Sequence, residues 1–278
     1  TYLAYLQKMF WPSKLSYFYP YPENDLPVAQ GIFCGMVLVA ITLISIRLIR
    51  KAPYFAVGWF WYLGTLVPVI GIFVQAGWAA MADRYTYIPL IGIFIIIAWG
   101  FPELMMNWRY KKKALVTLAV IVIPLLIMIT WVQVSYWKND IMLYRHAIDV
   151  AEKKYPGLAR TYNNLGIALF AKQKNEEAII HYKRAVTLKP NHAKAHYNLG
   201  IILFAEKKNA DAISHYKMAI KLKSNFTNAH YNLGHALFQK GEMKEAVHHF
   251  RETVRLRPDF VAARDSLEFA MLRLQELE

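Results

Sequence analysis

Four apolar runs, residues 27–46, 54–75, 85–101 and 114–134, dominate the first half of the chain and are separated by short polar connections. Each approaches or exceeds the about 17–25 residues that carry a helix across a bilayer, and the third is the shortest. The pattern predicts four hairpin-connected transmembrane helices. After Trp137 it changes, and apolar positions recur at helical spacing with charged residues between them.

In that second half the pattern also repeats. "YNNLGIALF", "HYNLGIILF" and "HYNLGHALF" are anchored on Gly166, Gly200 and Gly234, which lie 34 residues apart. Ala178, Ala212 and Ala246 keep the same interval, as do Tyr182, Tyr216 and Phe250. A 34-residue period of this kind is similar to the tetratricopeptide pattern, in which two antiparallel helices form each repeat and neighbouring repeats bury one another's apolar faces. The fold class expected is therefore all-α, polytopic transmembrane helices followed by a tetratricopeptide-repeat helical solenoid. Its divisions are a non-cytoplasmic interfacial segment at 1–25, four transmembrane helices within 26–137, a connecting degenerate repeat helix at 138–158, three repeats at 159–260 and a capping helix at 261–278.

Charge gives this arrangement a direction. Arg47, Arg50 and Lys51 follow the first span, and Arg109, Lys111, Lys112 and Lys113 follow the third. Short basic loops stay on the cytoplasmic side. The N-terminal segment, the Asp83-Arg84 loop and the repeats are then expected together on the other side, as in a bacterial inner-membrane protein with periplasmic repeats. Trp11, Tyr17, Trp78, Tyr85, Tyr87, Trp131 and Trp137 suit an interfacial aromatic belt there. Gly31 and Gly35 have the spacing that lets membrane helices approach closely. The net charge of +14 carries no nucleic-acid motif with it, and membrane lipids are the expected partner of the basic surface. Because the chain opens on Thr1 without a signal-like segment, sequence is expected upstream of it.

Few residues offer chemistry. Cys34 is the lone cysteine, which leaves no pair for a disulfide within the chain. His181, His215 and His249 are 34 residues apart. Stacked repeats set such equivalent positions about 10 Å from one another, whereas zinc ligands sit at about 2 Å, so no metal and no cofactor is expected. Asn164, Asn198 and Asn232 form a ladder two residues before each repeat glycine. An amide offers a donor and an acceptor together, which suits gripping the backbone of an extended polypeptide. The opposing reading is that these asparagines only fix local geometry. Asp83 and Arg84 stand between two apolar runs, where Asp83 favours the start of the next helix and Arg84 snorkels to phosphates. Backed by Tyr85, and with Lys14 on the same side, the pair also suits the phosphate of a lipid-linked substrate.

The order "WPSKLSYFYPYP", "GWAAMADRYTYIPLIG", "YWKNDIMLYRHAI" and then the repeats resembles the C-terminal half of the transmembrane and tetratricopeptide repeat-containing proteins related to protein O-mannosyltransferases, which are GT-C membrane glycosyltransferases. The resemblance implies transfer of a sugar from a polyprenyl-phosphate donor to an acceptor, often a protein, on the non-cytoplasmic face. It also implies a catalytic carboxylate in an early loop, which this sequence does not contain, so no catalytic residue is assigned and the chain by itself is not expected to catalyse transfer. The alternative is a membrane-anchored repeat scaffold that docks proteins of a larger complex without catalysis.

Overall fold

The computed structural model describes residues 28–67, 87–106, 108–151 and 157–277, together with Leu3 and Leu6. The chain divides into two compact units, Thr1–Glu152 and Lys153–Glu278.

In the first unit, α1 (Val28–Leu48), α2 (Pro53–Leu66), α3 (Tyr87–Leu104) and α4 (Lys111–Tyr136) follow the four apolar runs. Residues 68–75 of the second run lie outside the described residues. Two stretches are long and apolar enough to cross a membrane, Gly31–Leu48 within α1 and the whole of α4, while Ile88–Leu104 is a shorter apolar helix. None of the described residues of α4 is buried, and Trp131 and Met128 are 79% and 68% exposed. A helix that is apolar all round needs protein or lipid against it on every side.

The core of this unit is built from Trp59, Tyr62 and Leu66 of α2 and Ile93 of α3, with Leu38 and Ile41 of α1 packed on it. The close approach here belongs to Gly58 and Gly92. A Cβ added to either would run into the other's carbonyl oxygen, whereas one added to Gly31 or Gly35 would meet open space. The Gly31/Gly35 spacing is therefore not used between the described helices, and two glycines far apart in sequence do that work. Several polar groups in these helices are hydrogen-bonded, some to the preceding turn and some to a neighbouring helix. Thr42 Oγ1 donates to the Leu38 carbonyl at 2.8 Å and Ser45 Oγ to the Ile41 carbonyl at 2.7 Å. Trp59 Nε1 donates to Thr42 Oγ1 at 3.0 Å, and Trp61 Nε1 donates to the Ile88 carbonyl at 2.9 Å.

Gly58 lies beside Gly92, Trp61 beside Ile88 and Tyr54 beside Gly100, so α2 and α3 run antiparallel. The turn carrying Arg50 and Lys51 is thus at the same end of this hairpin as the last turn of α3, which leads to Arg109 and Lys111. Beyond α4, Asn139 Oδ1 accepts from the Met142 backbone N–H at 2.9 Å and caps α5 (Asp140–Val150). Part of the "WKND" signature is therefore a helix start. Tyr136 and His146 stack with ring centroids 3.9 Å apart and set α5 against the end of α4.

The second unit holds three helix pairs: α6 (Leu158–Ala171) with α7 (Asn175–Leu188), α8 (Ala193–Ala205) with α9 (Asn209–Leu222), and α10 (Thr227–Lys240) with α11 (Met243–Leu256), followed by α12 (Val261–Leu277). The first helices of the pairs begin at Leu158, Ala193 and Thr227. The Gly and aromatic series meet face to face within each pair. A Cβ on Gly166, Gly200 or Gly234 would lie 2.6, 2.6 or 2.7 Å from the ring of Tyr182, Tyr216 or Phe250. Those three rings are nearly or fully buried. The turn between paired helices also recurs, with Gln173, Lys207 and Gly241 all at positive φ. Only the third repeat places there the residue that adopts this conformation without strain.

Replacing Gly58 with Ala forces α2 and α3 apart and is expected to lower stability by about 1–3 kcal/mol, the usual cost of overpacking. Gly35→Ala should leave stability unchanged. Thermal unfolding of the two variants in detergent micelles checks this, and equal melting temperatures would refute the Gly58–Gly92 contact.

Candidate functional site

Asn164, Asn198 and Asn232 lie on α6, α8 and α10, the first helix of each repeat, and all three are half-buried. Two of the three bond to the preceding repeat. Asn198 Nδ2 donates to Asn163 Oδ1 of the preceding repeat at 2.9 Å, and Asn232 Nδ2 donates to the Tyr197 hydroxyl at 3.2 Å. Both bonds join residues 35 apart in sequence, so they are one contact made twice. Asn163 is 4% exposed, and its own Nδ2 reaches Asn164 Oδ1 at a long 3.4 Å.

This divides the second and third rungs, Asn198 and Asn232, into two. The amide nitrogens of Asn198 and Asn232 staple neighbouring repeats, and their oxygens accept nothing among the described residues. A donor and an acceptor together were expected to grip a polypeptide backbone. The structure leaves the acceptor open and supplies a neighbouring hydroxyl, because Tyr197, while accepting from Asn232, still has its own proton to donate. Tyr197 is fixed against Phe226 at 4.7 Å, and Tyr231 is fixed against Phe260 at the same distance. Lys223 lies 5.4 Å from the Phe226 ring, and Arg257 lies 3.8 Å from that of Phe260. Successive repeats thus carry the same tyrosine, phenylalanine and cation. Burial raises the Tyr197 pKa, and the bond from Asn232 pulls it back, so the phenol stays protonated near neutral pH.

Two further pairs were not visible as pairs in the sequence. His196 Nδ1 faces His215 Nδ1 at 3.0 Å, and His230 Nδ1 faces His249 Nδ1 at 3.1 Å. In the first repeat Tyr162 takes the place of His196 and stacks on His181 at 5.8 Å. The sequence does carry the signal, since Tyr162, His196 and His230 share one register and His181, His215 and His249 another. Nothing in the period says that the two registers touch. No group of three or more metal-ligating side chains occurs among the described residues. Lys14, Asp83, Arg84 and Tyr85 all lie outside the described residues.

Residues 166–206 and 202–241 match the family model described as TPR repeat, and residues 227–260 match the one described as Tetratricopeptide repeat. The repeats are tetratricopeptide repeats. No curated protein matches the chain. Among solved structures, the first tetratricopeptide domain of Spaghetti (RPAP3) bound to an HSP90 peptide is 26% identical, with 42% of this chain and 93% of that one covered and a TM-score of 0.41. The first such domain of human RPAP3 is also 26% identical, covering 44% and 95%, with a TM-score of 0.41. The MamA crystal structure is 28% identical, covering 47% of this chain and 74% of that one, with a TM-score of 0.43.

Asn198→Ala leaves the buried Asn163 oxygen without its donor and is expected to cost about 1–3 kcal/mol. Asn164→Ala, which removes only a long bond within one repeat, should cost less. Denaturant unfolding of the two variants checks this order, and equal losses would remove the inter-repeat staple.

Proposed function

We propose that this chain is a membrane-anchored tetratricopeptide-repeat scaffold whose groove docks an extended polypeptide. The observation that carries the groove is the split amide ladder: Asn198 and Asn232 keep their oxygens open beside Tyr197 and Tyr231, which are held by Phe226 and Phe260. An oxygen acceptor beside a phenolic donor matches the N–H and C=O of a peptide unit and does not depend on its side chains. The anchor is supported by the apolar stretches of α1 and α4 and by the lack of any buried residue among those described in α4. Arg50 and Lys51 at one end of the α2–α3 hairpin, with the basic run 109–113 after α3, favour acidic lipid headgroups at the cytoplasmic leaflet. The repeats then lie across the membrane, in the periplasm of a bacterial cell.

A second reading follows from the order of the sequence motifs. In it the chain is part of a GT-C glycosyltransferase, with Arg84, Asp83, Tyr85 and Lys14 meeting the phosphate of a polyprenyl-linked sugar and the repeats presenting the acceptor polypeptide. Its support is the motif order alone.

In a Cys34→Ser background, a thiol placed at Lys240 should react with a membrane-impermeant maleimide on intact spheroplasts, and one at Lys112 only after lysis. The reverse pattern would overturn the orientation. With the orientation established, a library of unstructured peptides of about a dozen residues is titrated against the purified chain by fluorescence anisotropy. Joint Asn198→Ala and Asn232→Ala substitution should weaken the bound members roughly tenfold or more, each amide contact being worth about 1 kcal/mol. Unchanged affinity in a folded variant would reduce the ladder to a staple. For the second reading, Arg84→Ala in the full-length protein should lower sugar transfer with membrane insertion intact, and unaltered transfer would remove Arg84 from the reaction.

A further inference from the structure

The two histidine pairs sit on the same helices as the groove rungs, His196 beside Tyr197 on α8 and His230 beside Tyr231 on α10. Their protonation is constrained by what surrounds them. His196 Nε2 lies 3.0 Å from the Pro190 carbonyl, and His230 Nε2 lies 3.0 Å from the Ser224 carbonyl. A carbonyl only accepts, so both Nε2 atoms carry hydrogen, and in the neutral ring each Nδ1 is then a bare acceptor. Across each gap, Nδ1 of His215 and of His249 must be the donor. The tautomers of all four rings follow.

The same geometry limits how many protons each pair can hold. One added proton on Nε2 of His215 or His249 keeps the Nδ1–H bond to its partner. A second, placed on His196 or His230, sets N–H against N–H at about 3 Å between two cations, and the contact opens. His196 and His230 are 8% and 5% exposed, so solvent does little to screen that repulsion. We propose that the two pairs form an acid-sensitive latch, which holds α8 to α9 and α10 to α11 near neutral pH and releases them on acidification, loosening the groove. As regulation of the groove this rests on the docking function above, but the latch itself is tested on the unliganded chain.

The surroundings of each pair act in the same direction. Burial lowers the pKa of His215. His196 across the gap on α8 and Lys183 on α7 add to this, and Asp211 on its own helix opposes it. Burial likewise brings His249 down to about 4, with His230 on α10, His248 on the same helix and Lys217 on α9 adding to it and Glu245 opposing. Glu252, also on α11, faces His230 and His248 and is held ionised mainly by its hydrogen bond from Arg255. For a histidine whose folded pKa lies below its unfolded value of about 6.5, the unfolded or opened state binds more protons in acid. The contribution to stability is therefore complete above about pH 6.5 and is lost as the pH falls toward the folded value, about 4 for His249.

The first repeat supplies the control, because Tyr162 stands where the other two have histidine. Hydrogen exchange of the full chain in nanodiscs, corrected for intrinsic exchange, is measured at pH 7 and pH 5. Protection of α8–α11 should fall by roughly tenfold or more, since each unit of pKa displacement is a factor of ten, while α6 and α7 change little. The double variant His196→Tyr and His230→Tyr, which copies the first repeat, should reduce that fall by the share the facing imidazoles contribute, while burial of His215 and His249 keeps the rest. An equal fall in the variant, or one spread evenly over all three repeats, would overturn the proposal. Nitrogen-15 spectra of labelled histidine supply a readout that does not need the variant. At pH 7, His196 and His230 should be Nε2–H and His215 and His249 Nδ1–H, and any other pattern also overturns it.

Discussion

The repeat half of this protein depends on one contact, an aromatic ring laid on a glycine. Gly166, Gly200 and Gly234 each sit under a ring from the partner helix at a distance that leaves no room for a Cβ. The contact sets how closely the helices of each pair approach and therefore the register of everything else on them. It buries Tyr182, Tyr216 and Phe250, and with them the flanking alanines at 178, 212 and 246. Buried aromatic area of this size is the largest single source of hydrophobic stabilisation available to a two-helix unit. A repeat cannot bury its outer faces alone, so the same spacing propagates along the array.

Once the pairs are set, the polar positions around the contact acquire distinct tasks. The residue two places before Gly200 and before Gly234 reaches back to the preceding repeat, which gives Asn198 and Asn232 a structural duty on one side and an open oxygen on the other. The residue four places before it faces its own partner helix, and there His196 and His230 meet His215 and His249. Stapling between repeats and proton-sensitive pairing within repeats thus occupy neighbouring positions on the same helices. Surface ion pairs such as Lys217 with Glu245 at 3.0 Å are about half exposed and add little beside them.

The first half obeys a different constraint. Its helices are apolar along their length, so hydrophobic pattern does not tell one face from another, and specificity comes from small residues and a few hydrogen bonds. Gly58 against Gly92 allows backbone contact, and Trp59 to Thr42 ties α1 to α2.

Periodicity alone determined the kind of repeat and which of its positions are equivalent, because that is what a strict 34-residue interval reports. It could not report which inequivalent positions touch. The Gly–ring contact joins residues 16 apart, as Gly200 and Tyr216 show, and the histidine pairing joins residues 19 apart. Both spacings depend on the turn at Gln173, Lys207 and Gly241, whose left-handed backbone the sequence announces only where it is glycine. In the apolar half, described helices lie in all four apolar runs. Among the described residues the close contact is Gly58 with Gly92 and not at Gly31 or Gly35, since a motif on one helix does not say which partner helix arrives. Helices form from local sequence, whereas the meeting of two imidazoles or two glycines is decided only when the helices pack.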